Sequence, residues 1–277
     1  MTRINPKIFV VLSWVLMAAA LITAVGFAEK SQHEVRCQGL EVVIMDSTGH
    51  YFVSPDDIKA LFSSKSTAVE GKPLSTIDMR MMEKRALSNP YVATAAVYAT
   101  IDGRIRMDIH QRDPVVRIIN YNNDHFYIDR TGGFMPIGET YATRLPVASG
   151  FIFDKMTQMS LDFSAPVPDT SGKPLLQQVF EVAEFISKDD FWNAQIEQIY
   201  VNEDFDLELV PRVGNHTVLI GSSDLLSRKM ENLRRFYTDG ASRLGWQSYS
   251  KLNLKFIDQV VCTKMVQSKN DTLTNQQ

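Results

Sequence analysis

The sequence has only two cysteines, five histidines and a formal net charge of -3, and each scarcity removes a class of function. Cys37 and Cys262 lie near opposite ends of the chain, a spacing that matches neither a zinc knuckle nor a CxxC redox pair. They read as two unpaired, partly buried thiols, with a Cys37 to Cys262 disulfide as the alternative. The near-balanced charge gives no whole-chain electrostatic case for nucleic acid. No nucleophile is spaced from a base, no carboxylate pair marks a pocket, and no glycine-rich loop opens a helix. Thr131-Gly132-Gly133 comes nearest to an anion loop, but it sits inside a hairpin pattern and reads as a turn. His216, after Gly214-Asn215, reads as a loop histidine. The sequence therefore assigns no catalytic residue, no cofactor, no metal and no small-molecule substrate, and the chain is read as not an enzyme.

What is present begins with one long apolar run. From Ile8 to Ala28 no side chain is ionisable, and about 21 residues at 1.5 Å each give roughly 31 Å of helix, enough to cross a hydrocarbon core. Arg3 and Lys7 precede the run, whereas Glu29 and Lys30 cancel behind it, so the positive-inside bias leaves the N-terminus in the cytoplasm and exports the rest. The expectation is a single-pass type II inner-membrane protein. A cleaved signal peptide ending at Gly26-Phe27-Ala28 is the competing reading, although the run exceeds the usual apolar stretch of such peptides. No lipoprotein box precedes Cys37, because Glu34-Val35-Arg36 is not small.

The exported part has the length and apolar content for two modest domains. Leu40 to Ile44 is a β-prone run closed by Ser47-Thr48-Gly49-His50. Ser54-Pro55-Asp56-Asp57 supplies an N-cap, a proline at the first helical position and an acid at the third. The same device at Ser75-Thr76-Ile77-Asp78 opens a second helix, with Met81, Met82, Ala86 and Leu87 at helical spacing until Asn89-Pro90. Tyr91 to Ile101, the turn Asp102-Gly103, and Arg104 to His110 form a hairpin whose Ile105, Met107 and Ile109 alternate with polar residues. The order is β-α-α-β-β. After Asp113-Pro114 a second, β-rich region follows, with strands at Val115 to Tyr121, His125 to Asp129, Phe134 to Ile137, Gln195 to Val201, Phe205 to Val210, Thr217 to Ile220, Leu252 to Ile257 and Gln259 to Met265. Two amphipathic helices interrupt it, one around Leu175 to Ile186 and one around Leu226 to Tyr237. The last residues are polar and read as a disordered tail.

Arg228, Lys229, Arg234 and Arg235 on the second of those helices read as a solvated basic face, and the Met79, Met81 and Met82 group as core filling. The terminal strand has more functional content. A last strand at a sheet edge offers unpaired N–H and C=O groups that an extended peptide completes.

Phe52-Val53-Ser54 before the first helix, Leu87-Ser88-Asn89-Pro90-Tyr91-Val92, Gln111-Arg112-Asp113-Pro114-Val115, Tyr127-Ile128-Asp129-Arg130-Thr131-Gly132 and Leu252-Asn253-Leu254-Lys255-Phe256, in this order, resemble segments of the FtsQ/DivIB family of bacterial cell-division proteins. The last is similar to the family's Val-Asp-Leu-Arg-Tyr strand. The resemblance implies an α+β chain: a cytoplasmic tail at 1–7, a transmembrane helix at 8–28, a spacer at 29–36, a POTRA domain at 37–112, an FtsQ-type β-domain at 113–266 and a tail at 267–277. It implies a non-enzymatic divisome scaffold at the septum whose last strand pairs with an FtsB-like protein, which in turn holds an FtsL-like one, to control septal peptidoglycan synthesis. Carried over residue by residue, Lys255 stands for the family arginine and Phe256 for the tyrosine, with Gln259, Val260, Val261, Cys262, Thr263 and Lys264 as the backbone ladder. Asn253 replaces the family's acid, and Lys for Arg loses bidentate geometry. Proline at Val261 or Thr263 is expected to remove a backbone donor from that ladder. The alternative role is a POTRA-containing envelope transport or assembly factor, against which stands the lack of a following β-barrel pattern. An envelope hydrolase lacks a nucleophile and base.

Overall fold

The computed structural model describes residues 13–23, 35–45, 52–64, 67–138, 145–156, 161, 172–241, 248–256 and 258–265. The tails at 1–7 and 267–277, most of the spacer, the Ser47-Thr48-Gly49-His50 turn and Ile257 lie outside these residues. Of the apolar run expected to span a membrane, residues 13–23 are helical, with Trp14, Leu16, Leu21 and Ile22 exposed, and the remainder lies outside the described residues. Among the described residues, no helix is long and apolar enough to cross a membrane. The chain divides into two compact units, Met1–Gln111 and Arg112–Gln277.

The first unit has the β-α-α-β-β order. Strand β1 (Leu40–Ile44) runs parallel to β3 (Ile105–Gln111), which pairs antiparallel with β2 (Val92–Ala99), giving the order β1-β3-β2. The alternation in β3 is realised: Ile105, Met107 and Ile109 are fully buried, while Arg106 Nε donates to Asp108 on the opposite face at 2.9 Å. Helix α1 (Pro55–Ala60) has its expected capping box, with Asp57 N on Ser54 Oγ and Ser54 N on Asp57 Oδ2. The second helix departs from the expected start. Helix α2 (Met79–Leu87) is capped by Asp78, whose carboxylate accepts from Met81 N at 3.0 Å, and not by Ser75. Leu74–Thr76 is a separate 3-10 turn, and Ile77 adopts extended backbone between the two. The helix therefore turns Met82 and Ala86 inward and leaves Met81 and Leu87 exposed, so the methionine group is only partly core. Gln111 joins the ends of the unit: its buried Oε1 accepts from both Phe52 N and Val53 N at 2.9 Å. Phe52 also stacks on Tyr91, with ring centroids 5.7 Å apart. These contacts give the signature residues at 52–54, 91 and 111 a shared physical role.

Among the described residues, the second unit is one nine-stranded sheet. Its strands are β4 (Pro114–Ile119), β5 (His125–Asp129), β6 (Phe134–Pro136), β7 (Val147–Gly150), β8 (Ile196–Val201), β9 (Leu207–Pro211), β10 (Thr217–Gly221), β11 (Tyr249–Asn253) and β12 (Val261–Lys264). They lie in the order β12-β11-β10-β9-β8-β7-β4-β5-β6. Pairs β4–β7, β7–β8 and β10–β11 are parallel. Parallel neighbours need crossovers, and helices α3 (Leu175–Ser187), α4 (Asp190–Gln195) and α5 (Leu226–Arg235) occur in them. Strand β7 and helix α4 were not foreseen. Residues 147–150 include Ser149 and Gly150, weak strand formers, and α4 depends on Asp189, which caps it by accepting from Phe191 N and Trp192 N. Leu176, Val179, Phe180, Val182, Ala183 and Ile186 of α3 pack with Trp192, Met230 and the inward strand residues in one core.

Asp129 organises the entry to this unit. It is 3% exposed and takes Arg112 Nη1 at 3.1 Å, Thr131 N at 2.8 Å, Thr131 Oγ1 at 2.7 Å and Gly133 N at 2.8 Å. Thr131-Gly132-Gly133 is thus a turn wrapped on a carboxylate, and a Cβ at Gly133 would collide with Arg112 and Asp129. Arg130 reaches back to Asp113 at 2.8 Å.

Two sequence readings are corrected here. His216 lies in the loop before β10, as read, but it is not a bland surface residue: it is 5% exposed, with Nε2 2.9 Å from the Tyr237 hydroxyl. Burial pushes its imidazole pKa down, and pushes the Tyr237 hydroxyl up, which fits a tyrosine O–H donating to a neutral ring. The basic residues of α5 do not share one solvated face either. Lys229 is buried and donates to Ile220 O at 2.8 Å and Ser222 O at 2.9 Å, Arg234 pairs with Asp189 and lies over the Phe191 and Trp192 rings, and Arg228 pairs with Asp258. Helical period alone placed them; the carbonyls at the end of β10 and the Asp189 cap decided their contacts.

Removing Asp129 leaves Arg112 and two N–H groups without their acceptor. Asp129→Ala should cost about 3 kcal/mol or more, whereas Ala at the more exposed Asp113 should cost under about 1 kcal/mol, both read from urea unfolding. The pH dependence follows from His216. Its folded pKa lies below the unfolded value, so the unfolded chain takes up the proton first, and the stability it confers is held above about pH 6.5 and lost as pH falls below that. Unfolding at about pH 7.5 and 5.5 should reveal this loss, and His216→Phe should flatten it.

Candidate partner-binding edge

The residues singled out for partner binding fall at the end of the second unit, on strand β12 and the connection that leads to it from β11. Strand β11 starts and stops earlier than the alternation of Leu252 to Ile257 suggests. Leu252 and Leu254 are buried as the pattern requires, but Leu254 N donates to Leu219 O of β10, and Asn253 Oδ1 accepts from Lys255 N at 2.9 Å. That side-chain turn ends the strand and turns the chain out. Lys255 and Phe256 therefore lie after β11, with Phe256 52% exposed. Gln259 belongs to the turn, its N–H directed to Phe256 O, and Val260 packs against the core. Val261, Cys262, Thr263 and Lys264 make up β12.

Among the described residues, strand β12 has one neighbour. It pairs antiparallel with β11, in the register Tyr249↔Lys264, Lys251↔Thr263, Leu252↔Cys262 and Asn253↔Val261, with a bulge between Tyr249 and Lys251. Met265 N donates to Ser248 O, so by alternation Thr263 and Val261 also turn their backbone groups toward β11. The N–H and C=O of Cys262 and Lys264 face the open side. Proline at Val261 or Thr263, chosen from the sequence, would cut the internal ladder; the informative positions are Cys262 and Lys264.

Other strand edges differ. The opposite edge of the same sheet, β6, is three residues long, ends in Pro136 and has Leu161 N donating to Gly132 O beside it. In the first unit, the β2 edge has Val97 N satisfied by Glu83 Oε1 at 3.1 Å. Strand β1 is the edge opposite β2 in that sheet.

Lys255 is held from two directions. Its Nζ pairs with Asp206 Oδ2 at 2.7 Å, and its aliphatic stem crosses Gly221, whose φ of 72° and missing Cβ leave the space. Neighbouring Lys251 pairs with Glu208 at 2.8 Å. Lys255, which stands for the family arginine, thus already has a carboxylate in place, in a pair whose lysine is half exposed to water and exchangeable at small cost. Asp206 lies 49 residues away and nothing local in the sequence signals the pair.

Cys262 is a free, partly buried thiol whose Sγ lies 3.8 Å from Val260 O, and burial raises its pKa, so it stays protonated at neutral pH and is a poor nucleophile. Cys37 is also a free thiol, buried in the first unit. Among the described residues, no group of three or more His, Cys, Asp or Glu side chains is arranged to hold a metal ion. What this place offers chemically is a backbone ladder flanked by an exposed aromatic ring and two lysines.

Residues 113–263 match the family described as FtsQ/DivIB, C-terminal related, and residues 35–110 match the POTRA-like domain family. No curated protein matches the chain. Both families are generally non-enzymatic scaffold domains, and FtsQ/DivIB proteins are associated with the division site and the membrane. With more than half its length matched by the first family and most of the preceding unit by the second, the chain belongs to the FtsQ/DivIB family of cell-division proteins.

Proposed function

We propose that this protein is a non-enzymatic divisome scaffold whose terminal strand β12 receives an extended segment of an FtsB-like protein, which links an FtsL-like protein and through it the control of septal peptidoglycan synthesis. The observation that carries the reading is the open side of β12, at the end of the family-matched region, where Cys262 and Lys264 present backbone donors and acceptors. An added antiparallel strand satisfies these groups. Phe256 provides an exposed ring beside the ladder, and Lys255 exchanges Asp206 for a carboxylate of the partner.

The proposed topology has a single anchor at 8–28 with the N-terminus cytoplasmic and the bulk of the chain across the inner membrane. Its support is the unbroken apolar run, its flanking charges and the helical, outward-facing apolar side chains of residues 13–23. The proposed domain limits are 37–112 for the POTRA domain and 113–266 for the β-domain.

Lys264→Pro removes an outward N–H and should weaken co-purification of the full chain with its FtsB-like partner by about tenfold, with Lys264→Thr, which keeps the donor, binding much closer to wild type. Cys262→Pro should act in the same direction. Equal binding by both proline variants, in chains whose melting temperature is unchanged, would reject the edge. Depletion tests the wider role: a scaffold gives cells that elongate without dividing, and normal septation with outer-membrane defects would favour an envelope-assembly factor.

A further inference from the structure

We infer that a second docking surface lies at one end of the nine-stranded sheet, an exposed aromatic cluster of Tyr121, Phe151, Phe153 and Phe205 that takes a basic, amphipathic helical segment of a protein partner. The cluster arises from topology. Strands β4, β7 and β8 are mutually parallel, so the loops after Ile119, Gly150 and Val201 leave the sheet at the same end. Tyr121 and Phe153 are 4.9 Å apart between ring centroids, Tyr121 and Phe151 5.9 Å, and Phe153 and Phe205 6.3 Å. Tyr121, Phe153 and Phe205 are 61%, 50% and 53% exposed. A contiguous group of large exposed rings is uncommon on a soluble surface, unlike scattered single ones.

The cluster is pre-organised and held at a conformational cost. Asn120 Nδ2 donates to Asp124 Oδ2 and to Asp154 O, both at 3.0 Å, and Tyr121 N donates to Ile152 O at 2.7 Å, tying the first loop to the second. In the third, Asn202 Oδ1 accepts from Asp204 N and Asp206 N, which holds Phe205 in the left-handed region at φ 60°. Glycine or asparagine suits that position, whereas phenylalanine is strained there and still leaves about half its surface exposed. A bulky ring kept exposed on a strained turn is the mark of a contact residue.

Charge decides the occupant. Among the described residues of the same three loops, Asp124, Asp154, Glu203 and Asp204 are exposed, against an exposed Lys155 and a Lys173 that lines the pocket beside Phe205 but is already paired with Glu181. An apolar patch with an acidic rim suits a helix with aliphatic residues on one face and Lys or Arg on the flanks, with cations also able to settle on ring faces. The ring planes are inclined to one another by 38°, 37° and 59° in these pairs. They make a corrugated surface that grips side chains and lack the flat platform on which sugar rings stack, so a glycan strand fits less well.

The test uses the full chain in neutral detergent and two synthetic amphipathic helices, one of leucine and lysine and one of leucine and glutamate, followed by fluorescence anisotropy against detergent blanks. The lysine helix should bind more tightly than the glutamate helix. Phe205→Gly should weaken it by about tenfold while the melting temperature holds or rises, because glycine relaxes the left-handed turn. Phe153→Ser should weaken it similarly, and Asp154→Asn with Asp204→Asn should reduce both the affinity and its salt dependence. Lys264→Pro should leave this affinity unchanged, which separates this surface from the β12 edge. The inference is overturned if the lysine helix does not bind, if both helices bind alike, if the Phe205 and Phe153 variants bind as the wild type, or if peptidoglycan fragments bind and lose affinity in those variants.

Discussion

A buried carboxylate with four donors fixes where the second unit begins. Ionised, Asp129 accepts and cannot donate, so its burial requires a shell of N–H and O–H groups, and the chain supplies them from Arg112, Thr131 and Gly133. The consequence is geometric. Arg112 stands at the boundary between the units and Asp129 at the end of β5, so satisfying the charge brings the first residues of the unit against the end of its second strand. Strand β4 then starts in register with β5 and forms the side of the sheet onto which β7, β8 and the rest are added. The residues at 111–115 and 127–132 that resemble a family signature include both partners of this interaction.

From that start the sheet alternates hairpins with parallel crossovers, and its two ends differ. The β6 end is short, closes with proline and has a further backbone bond beside it. The β12 end is reached through a bulge in β11 and an asparagine turn, and among the described residues no further strand pairs with its outward side. Proteins blunt their sheet edges against unwanted pairing, and the contrast between the ends is what makes β12 informative.

Much of this was legible in advance, for identifiable reasons. Caps, hairpin turns and period-2 alternation are local, so β1, α1, β3, β4, β5 and the core faces of α3 and α5 could be read from the residues. The reading failed where two local choices competed or where a partner further along the chain set the outcome. The sequence pattern reads Ser75 as the cap of α2, and Asp78, three residues on, makes the bond instead. Lys229 looked like its charged neighbours until the carbonyls of Ile220 and Ser222 drew it inside. His216 followed turn residues yet is fixed by Tyr237, 21 residues later. At the candidate edge, the strand and its place at the chain's end were visible, but which amides face outward depends on Met265 bonding Ser248 and on a bulge that no local pattern encodes.

The shortness of β12 has a consequence of its own. Four residues at about 3.4 Å each make a seam of roughly 14 Å, in which only Cys262 and Lys264 turn their amides outward. So few exchanged bonds, each in competition with water, form a contact that releases as readily as it closes. Under the proposed pairing, such a seam would act as a latch rather than a weld: it would hold a companion already confined nearby and let go of one that merely diffuses past.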